Sequence, residues 1–278
     1  MSYHLETAEH PENLRRVAID PVSRVEGHGK VTLLIDDANK VQQVRLHIVE
    51  FRGFEKFIQG RPYWEVPVMV QRLCGICPVS HHLAASKAMD IIVGAKHLTP
   101  TAEKVRRLMH YGQIMQSHAL HFFHLCSPDL LFGFDSEVGK RNIVGVAEKY
   151  PETARRGVLI RKFGQEAIRI TAGKRIHGTG AIPGGVNKSL SIEERDTLLK
   201  DVYQIIGWCR DAVHMARELH ETDPAMYNSF GIFRSHFMSL IGHNGEMDLY
   251  DGKLRARDEQ GAIFFDGVPQ ADYARHIQ

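Results

Sequence analysis

Arg72-Leu73-Cys74-Gly75-Ile76-Cys77-Pro78-Val79-Ser80-His81-His82 gathers two thiols, two imidazoles and a guanidinium into eleven consecutive residues, the most reactive stretch of the chain. Proline directly after the second thiol suits the first turn of a helix, where its missing N–H is not needed. Residues 83–92, Leu-Ala-Ala-Ser-Lys-Ala-Met-Asp-Ile-Ile, are mostly good helix formers. The spacing therefore predicts Cys74 and Cys77 at or just before a helix N-terminus. Unpaired backbone N–H groups and the positive dipole end stabilise an anion there, which favours thiolate as metal ligand or nucleophile. His81 follows Cys77 by one helical turn, within reach of its sulfur.

Spacing alone leaves several chemistries open. Half of a structural zinc site needs a second Cys or His pair, and Cys126 and Cys209 stand singly. A thiol–disulfide redox pair shares the Cys-Gly-x-Cys pattern but belongs in a βαβ setting. Two thiols packed as small hydrophobes is the bland alternative.

The pattern Arg72-x-Cys74-Gly75-x-Cys77-x-x-x-His81 resembles the first metal-binding signature of nickel-iron hydrogenase large subunits. Asp20-Pro21-Val22-Ser23-Arg24-Val25-Glu26-Gly27-His28 resembles the family's N-terminal Arg-Ile/Val-Glu-Gly-His segment, and Phe51-Arg52-Gly53-Phe54-Glu55 its Arg-Gly-x-Glu segment. The run from Gly173 to His177, followed by Pro183-Gly184-Gly185-Val186, is similar to its His-then-Gly-Gly loop, with His177-Gly178 where His-Pro is usual. Val49-Glu50-Phe51 and the paired His81-His82 are most similar to the cytoplasmic NAD-reducing subgroup.

The resemblance implies that Cys74 binds nickel terminally and that Cys77 bridges nickel and an iron carrying CO and cyanide. It makes Arg72 a cofactor-binding side chain and His81 a donor to the bridging sulfur. Glu26 becomes the proton relay, with pairing to Arg24 or Arg72 as its structural alternative, and Glu55 a ligand of Mg2+, a hard cation suited to carboxylate. The expected partners are a small subunit with an iron-sulfur cluster and diaphorase subunits carrying NAD and FMN, with H2 and protons as substrates. The family's remaining two thiolates come from an Asp-Pro-Cys-x-x-Cys-x-x-His signature that residues 1–278 lack, so the chain reads as one partial domain of such a subunit. A non-catalytic structural relative in a respiratory complex and a thiol–disulfide redox protein are the competing functions.

The elements that position these residues are predicted from pattern. A chain of 278 residues, 43% hydrophobic and carrying a formal charge of +2, can bury a substantial core. Its Lys/Arg groups, such as Arg106-Arg107 and Arg155-Arg156, read as solvated helix faces rather than a nucleic-acid stripe. Four cysteines without regular spacing fit a reducing, cytoplasmic setting, and neither a secretory signal nor a membrane-length apolar run is apparent.

The fold class is α+β and predominantly helical: a loose arm over residues 1–14, a β-hairpin region from Val17 to Phe51, a bundle of long helices and a small C-terminal β-meander. Helices are expected near 54–59, from Pro100 to about Leu125, over 142–150 and 152–172, and from a Ser191/Glu194 capping box to about Glu221. A loop is expected over 128–139. Glu246 to Tyr250 and Lys253 to Arg257 read as a hairpin turning at Asp251-Gly252, with a third strand at 262–265. His118, His121 and His124 share a helix face and, with His110, pose a second metal site against a buried or interfacial role. Cys126 and Cys209 read as buried thiols.

Overall fold

The computed structural model describes residues 7–48, 50, 53–95 and 97–277; Val49, Phe51 and Arg52 of the motifs above, and residues 1–6 of the arm, lie outside the described residues. The chain separates into two compact bodies, Met1–Pro62 and Tyr63–Gln278.

The first body is an antiparallel meander of β1 (Arg15–Ile19), β2 (Gly29–Ile35) and β3 (Val41–Ile48), in that order, followed by the short helix α1 (Phe54–Phe57). The β2–β3 turn forms where sequence places it. The Asp36 carboxylate accepts the N–H groups of Ala38 and Lys40 at 3.0 and 2.8 Å, and Asn39 takes a left-handed φ of 60°. Those hydrogen bonds, the one from Lys40 foremost, hold the Asp36 carboxyl below its usual range. Register aligns Val17, Leu33 and Val44 across the sheet, then Ile19, Val31 and Leu46. This apolar face is open: Val44, Leu46 and Ile48 are 61, 64 and 69% exposed. Contiguous exposed apolar area of this kind is uncommon on a protein that works alone.

The second body begins with α2 (Val66–Val70) and α3 (Pro78–Ile92). Helix α4 (Pro100–Leu120) is capped by the Thr99 hydroxyl, which accepts from Ala102 N–H at 3.2 Å. The first part of the loop expected over 128–139 is helical instead, and the loop begins only at Gly133. A π-helical turn, His121–Cys126, leads directly into α5 (Ser127–Phe132). Pro128 falls in the first turn of α5, where an absent N–H costs nothing, and the Ser127 hydroxyl donates to Phe123 O at 2.6 Å. The widened turn thus lets the chain pass a proline while staying helical.

Helix α6 (Ile143–Lys149), capped by Asn142, leads to α7 (Pro151–Ala172), which closes on Gly173 at a φ of 84°. Helices α4 and α7 approach to backbone contact. A Cβ built on Gly164 would lie 2.7 Å from Gly112 O and 2.8 Å from Gln116 N, so only glycine fits. Val79, Leu83, Met109, Ile168, Ala172 and Ala181 form the core around this crossing. The glycine-rich loop after α7 holds a minimal hairpin, β4 (Ala181–Ile182) with β5 (Gly185–Val186). Helix α8 (Ile192–Thr222) opens on the predicted Ser191/Glu194 capping box and is followed by α9 (Pro224–Ser229).

The C-terminal meander exists, with a different first strand. It runs β6 (Phe237–Ile241), β7 (Lys253–Arg257), β8 (Ile263–Val268), with Phe237 opposite Arg257. Residues 246–250 are not the hairpin arm, because the Asp248 carboxylate accepts the N–H groups of Tyr250 and Asp251 at 2.9 and 3.0 Å and curls the chain there. A second correction concerns Arg106, which is fully buried rather than solvated. It sits on the covered stripe of α4 and grips Asp90 of α3 at 2.6 and 3.1 Å. Arg155 and Arg156 do lie on an exposed face, paired with Glu152.

Candidate metal centre

The thiol pair sits where the helix prediction places it. After α2 and a single 3-10 turn over Gln71–Leu73, Cys74 is extended, with φ −144° and ψ 134°. Cys77 is the N-cap of α3, and Pro78 begins the helix. The loop folds back on the first sulfur, so Cys74 Sγ accepts from the N–H of Ile76 at 3.3 Å and of Cys77 at 3.2 Å. Two amide donors thus converge on one sulfur. Both cysteines are half-buried, as is His81 one turn along α3. Soft thiolates of this kind suit nickel and iron, and the donor set here amounts to half a site. Among the described residues no group of three or more His, Cys, Asp and Glu side chains is close enough to hold an ion by itself. That includes the histidines of α4 and its π turn. His118 Nδ1 donates to Ile114 O at 2.9 Å, and His121 faces the Cys126 sulfur at 3.4 Å.

The motif is braced from behind by groups that pattern reading passed over. Gln113 and Gln116 of α4 both donate to Ile76 O, at 2.9 and 2.7 Å. His82, fully buried, donates from Nδ1 to Pro67 O at 2.8 Å and accepts the Ala181 N–H on Nε2 at 3.1 Å, tying α2, α3 and β4 together. The Arg106–Asp90 pair secures the glycine loop. Arg106 Nε donates to Gly185 O at 3.0 Å and Nη2 to Ile182 O at 2.7 Å, while Gly184 N–H donates to Asp90 Oδ1 at 2.6 Å. His177, in the left-handed region with φ 55°, returns beside Gln71 and Arg72; burial and then the Arg72 charge push its imidazole pKa down. The structure thus brings Arg72, Cys74, Cys77, His81 and the His177 loop into one body. In the sequence the braces on α4 show only as a charge and two amides, Arg106, Gln113 and Gln116, on a helix face that also carries Met109 and Ala119.

Glu26 and Glu55 belong to the other body, and both are exposed. Glu26 lies in the β1–β2 connection, which Glu50 ties down by accepting from the backbone and Nδ1 of His28 at 2.5 and 2.8 Å. Arg24 and Gly27 in this loop adopt positive φ of 56° and 83°.

The bracing histidine makes stability depend on pH. Burial, the largest influence, lowers the His82 pKa, and His110 and His124 shift the same way for the same reason. A neutral imidazole is required, since a protonated Nε2 would meet the Ala181 N–H donor to donor. The native state therefore binds fewer protons than the unfolded one, whose histidines titrate near about 6.5. Stability is full above that value and is lost as pH falls toward the depressed native pKa, by up to about 1.4 kcal/mol per pH unit for the buried His82. Urea midpoints should fall between pH 7.5 and 5.5, and His82→Gln should flatten that slope by about one proton. An unchanged slope would remove His82 from this account.

Two family models match the chain, nickel-dependent hydrogenase over residues 52–132 and HoxL-like over residues 16–51. The beta subunit of the NAD-reducing hydrogenase HoxS of Cupriavidus necator is 46% identical over 274 residues, covering 95% of this chain. The chain belongs to the nickel-iron hydrogenase large-subunit family. The F420-non-reducing hydrogenase vhu of Methanocaldococcus jannaschii contains a relative that is 43% identical over 262 residues and covers 94% of the chain. A crystal structure of an NAD+-reducing [NiFe]-hydrogenase in the H2-reduced state superposes with a TM-score of 0.91 at 58% identity over 94% of this chain, confirming the helix-rich α+β fold for the hydrogenase family. The chain spans 55% and 62% of the two curated relatives' lengths and 58% of the crystallised chain. Neither the non-catalytic relative nor the thiol–disulfide protein is favoured. Among the described residues no helix is long and apolar enough to cross a membrane.

Proposed function

We propose that this chain supplies half of the thiolate cradle of a [NiFe]-hydrogenase large subunit that splits H2 reversibly in the cytoplasm and passes electrons through an iron-sulfur small subunit toward NAD. One observation carries the reading: a Cys74–Cys77 pair at a helix N-terminus, with the first sulfur cradled by two amides, in a chain 46% identical to a NAD-reducing hydrogenase subunit. When bound, the metal pair, its iron completed by CO and cyanide, supplies a soft, polarisable site that loosens the H–H bond. Cys74 and Cys77 hold it, and the other two thiolates belong to the portion of the subunit that residues 1–278 do not span. Arg72 and His81 flank the thiols in the same motif and would serve the same group, Arg72 as a cofactor-binding side chain and His81 as a donor to the Cys77 sulfur.

Glu26 is the proposed proton relay, its carboxylate oxygen able to accept a proton and pass it on. Glu55 holds Mg2+ through a hard oxygen donor. Diaphorase subunits with NAD and FMN are the proposed electron outlet; the name of the relative, a NAD-reducing hydrogenase subunit, supports the NAD part of that reading. The test is elemental analysis of the large subunit containing this chain, purified with its small subunit. Nickel and iron near one each per large subunit, with H2-dependent dye reduction, is the expected result; a nickel-free complex overturns it.

A further inference from the structure

We infer that Gln113 and Gln116 are positioning residues that set the electron density and direction of the Cys74 sulfur by acting through one shared peptide group. The inference rests on the metal-binding role proposed for Cys74. Both carboxamides, 2% and 5% exposed, donate to the same oxygen, Ile76 O, at 2.9 and 2.7 Å. That carbonyl and the Cys77 N–H are the two ends of a single planar peptide unit. Its far end donates to Cys74 Sγ at 3.2 Å. Donors that saturate a carbonyl polarise its amide, strengthening the N–H at the other end by roughly 10–30% per bond. Two glutamines on α4 therefore bear on a sulfur they do not touch.

The arrangement is expensive as core packing. Gln113 and Gln116 interrupt a buried stripe otherwise containing Met109, Gly112 and Ala119. Burying an amide without full hydrogen bonding is unfavourable, and the Gln113 Oε1 atom is buried with no hydrogen-bond partner among the described residues. A methionine would fill the same volume without that penalty. What the glutamines supply and a methionine cannot is N–H directed at Ile76 O. Hydrogen bonds to metal-bound sulfur draw charge from it and raise the centre's reduction potential. Weakening them leaves the sulfur richer in electrons, so the potential falls.

The experiment uses Gln113→Met, Gln116→Met and the double variant, in two settings. In the metal-free chain, selectively 15N-labelled at cysteine, the Cys77 amide proton should move upfield stepwise from single to double variant. Its hydrogen exchange should quicken at least tenfold, while the Cys209 amide on α8 stays put. In the assembled large and small subunits, the variants should keep nickel at the parent stoichiometry while the midpoint potential of the centre shifts negative in the same order. An unmoved Cys77 amide in both single variants overturns the inference even if hydrogenase activity is intact. So does an unmoved potential in a nickel-loaded variant. Failure of the parent complex to bind nickel overturns the proposed function instead, and the amide measurement on the chain still decides the clamp. The single variants, each retaining one donor, carry the test if the double variant does not fold.

Discussion

Asp90→Leu is expected to destabilise the chain by about 3–5 kcal/mol, a large share of the roughly 5–15 kcal/mol that holds a typical domain together. Arg106 has no exposed side-chain surface and Asp90 only 10%, so removing the carboxylate strands a guanidinium with no access to water. The damage extends beyond the pair. Asp90 Oδ1 also accepts the Gly184 N–H, and Arg106 also binds Ile182 O and Gly185 O, so the same lesion releases the hairpin of the glycine loop. Arg106→Met should cost a similar amount, by leaving a buried carboxylate and two carbonyl oxygens unsatisfied. Combining the two substitutions should recover part of the loss, because replacing both partners of a buried pair by apolar side chains is far milder than orphaning one. Urea denaturation at pH 7.5 measures all three, and limited proteolysis between residues 181 and 186 reports the loop. A loss under 1 kcal/mol for Asp90→Leu would mean that water reaches the pair.

Local rules made much of this architecture readable. Thr99-Pro100 and Ser191 with Glu194 are caps whose chemistry is complete within four residues, and both open the helices they announce. Asp36 and Asn39 make their turn in the same self-contained way. Reading fails where the deciding contact is distant in sequence. Arg106 resembles any surface arginine until Asp90, sixteen positions earlier, is seen to face it. Gln113 and Gln116 gain meaning only once the Ile76 carbonyl arrives beneath α4. Pro128 carries the usual signature of a helix end, and only the π turn before it lets the helical run continue. At the C-terminus the alternation of Glu246 to Tyr250 was real, but Asp248 prefers its own backbone to a ladder. The metal motif was the most legible part of the site, because two thiols, a glycine and a proline specify a helix-capping loop without help. The carboxylates expected to serve it, Glu26 and Glu55, lie in a separate body and gain no support from local rules.

The second large effect belongs to the thiols. In the complex of large and small subunits, Cys77→Ser and Cys74→Ser should each reduce H2-dependent dye reduction below about one-hundredth of the parent. Loss of mere outer-shell partners of a metal ligand already costs 10–100-fold, and a ligand itself costs more. The serine hydroxyl stays protonated at neutral pH and is a hard, weak donor where the metals favour a soft anion. Nickel content should fall with the activity, which separates lost binding from an impaired reaction. The fold should survive, since both side chains are half-exposed and the loop retains its backbone anchors at Ile76 and Pro67. A urea midpoint within about 1 kcal/mol of the parent is therefore expected, as for most substitutions away from the core. The two variants should also differ from each other. Cys74 Sγ is the acceptor for both loop amides at 3.2 and 3.3 Å, so a smaller oxygen there pulls the loop inward or leaves an N–H unsatisfied. Cys77→Ser keeps those bonds and should show faster exchange at neither amide, whereas Cys74→Ser should show it at Ile76 and Cys77. Nickel retained at the parent level in Cys77→Ser would mean that this sulfur does not hold the metal.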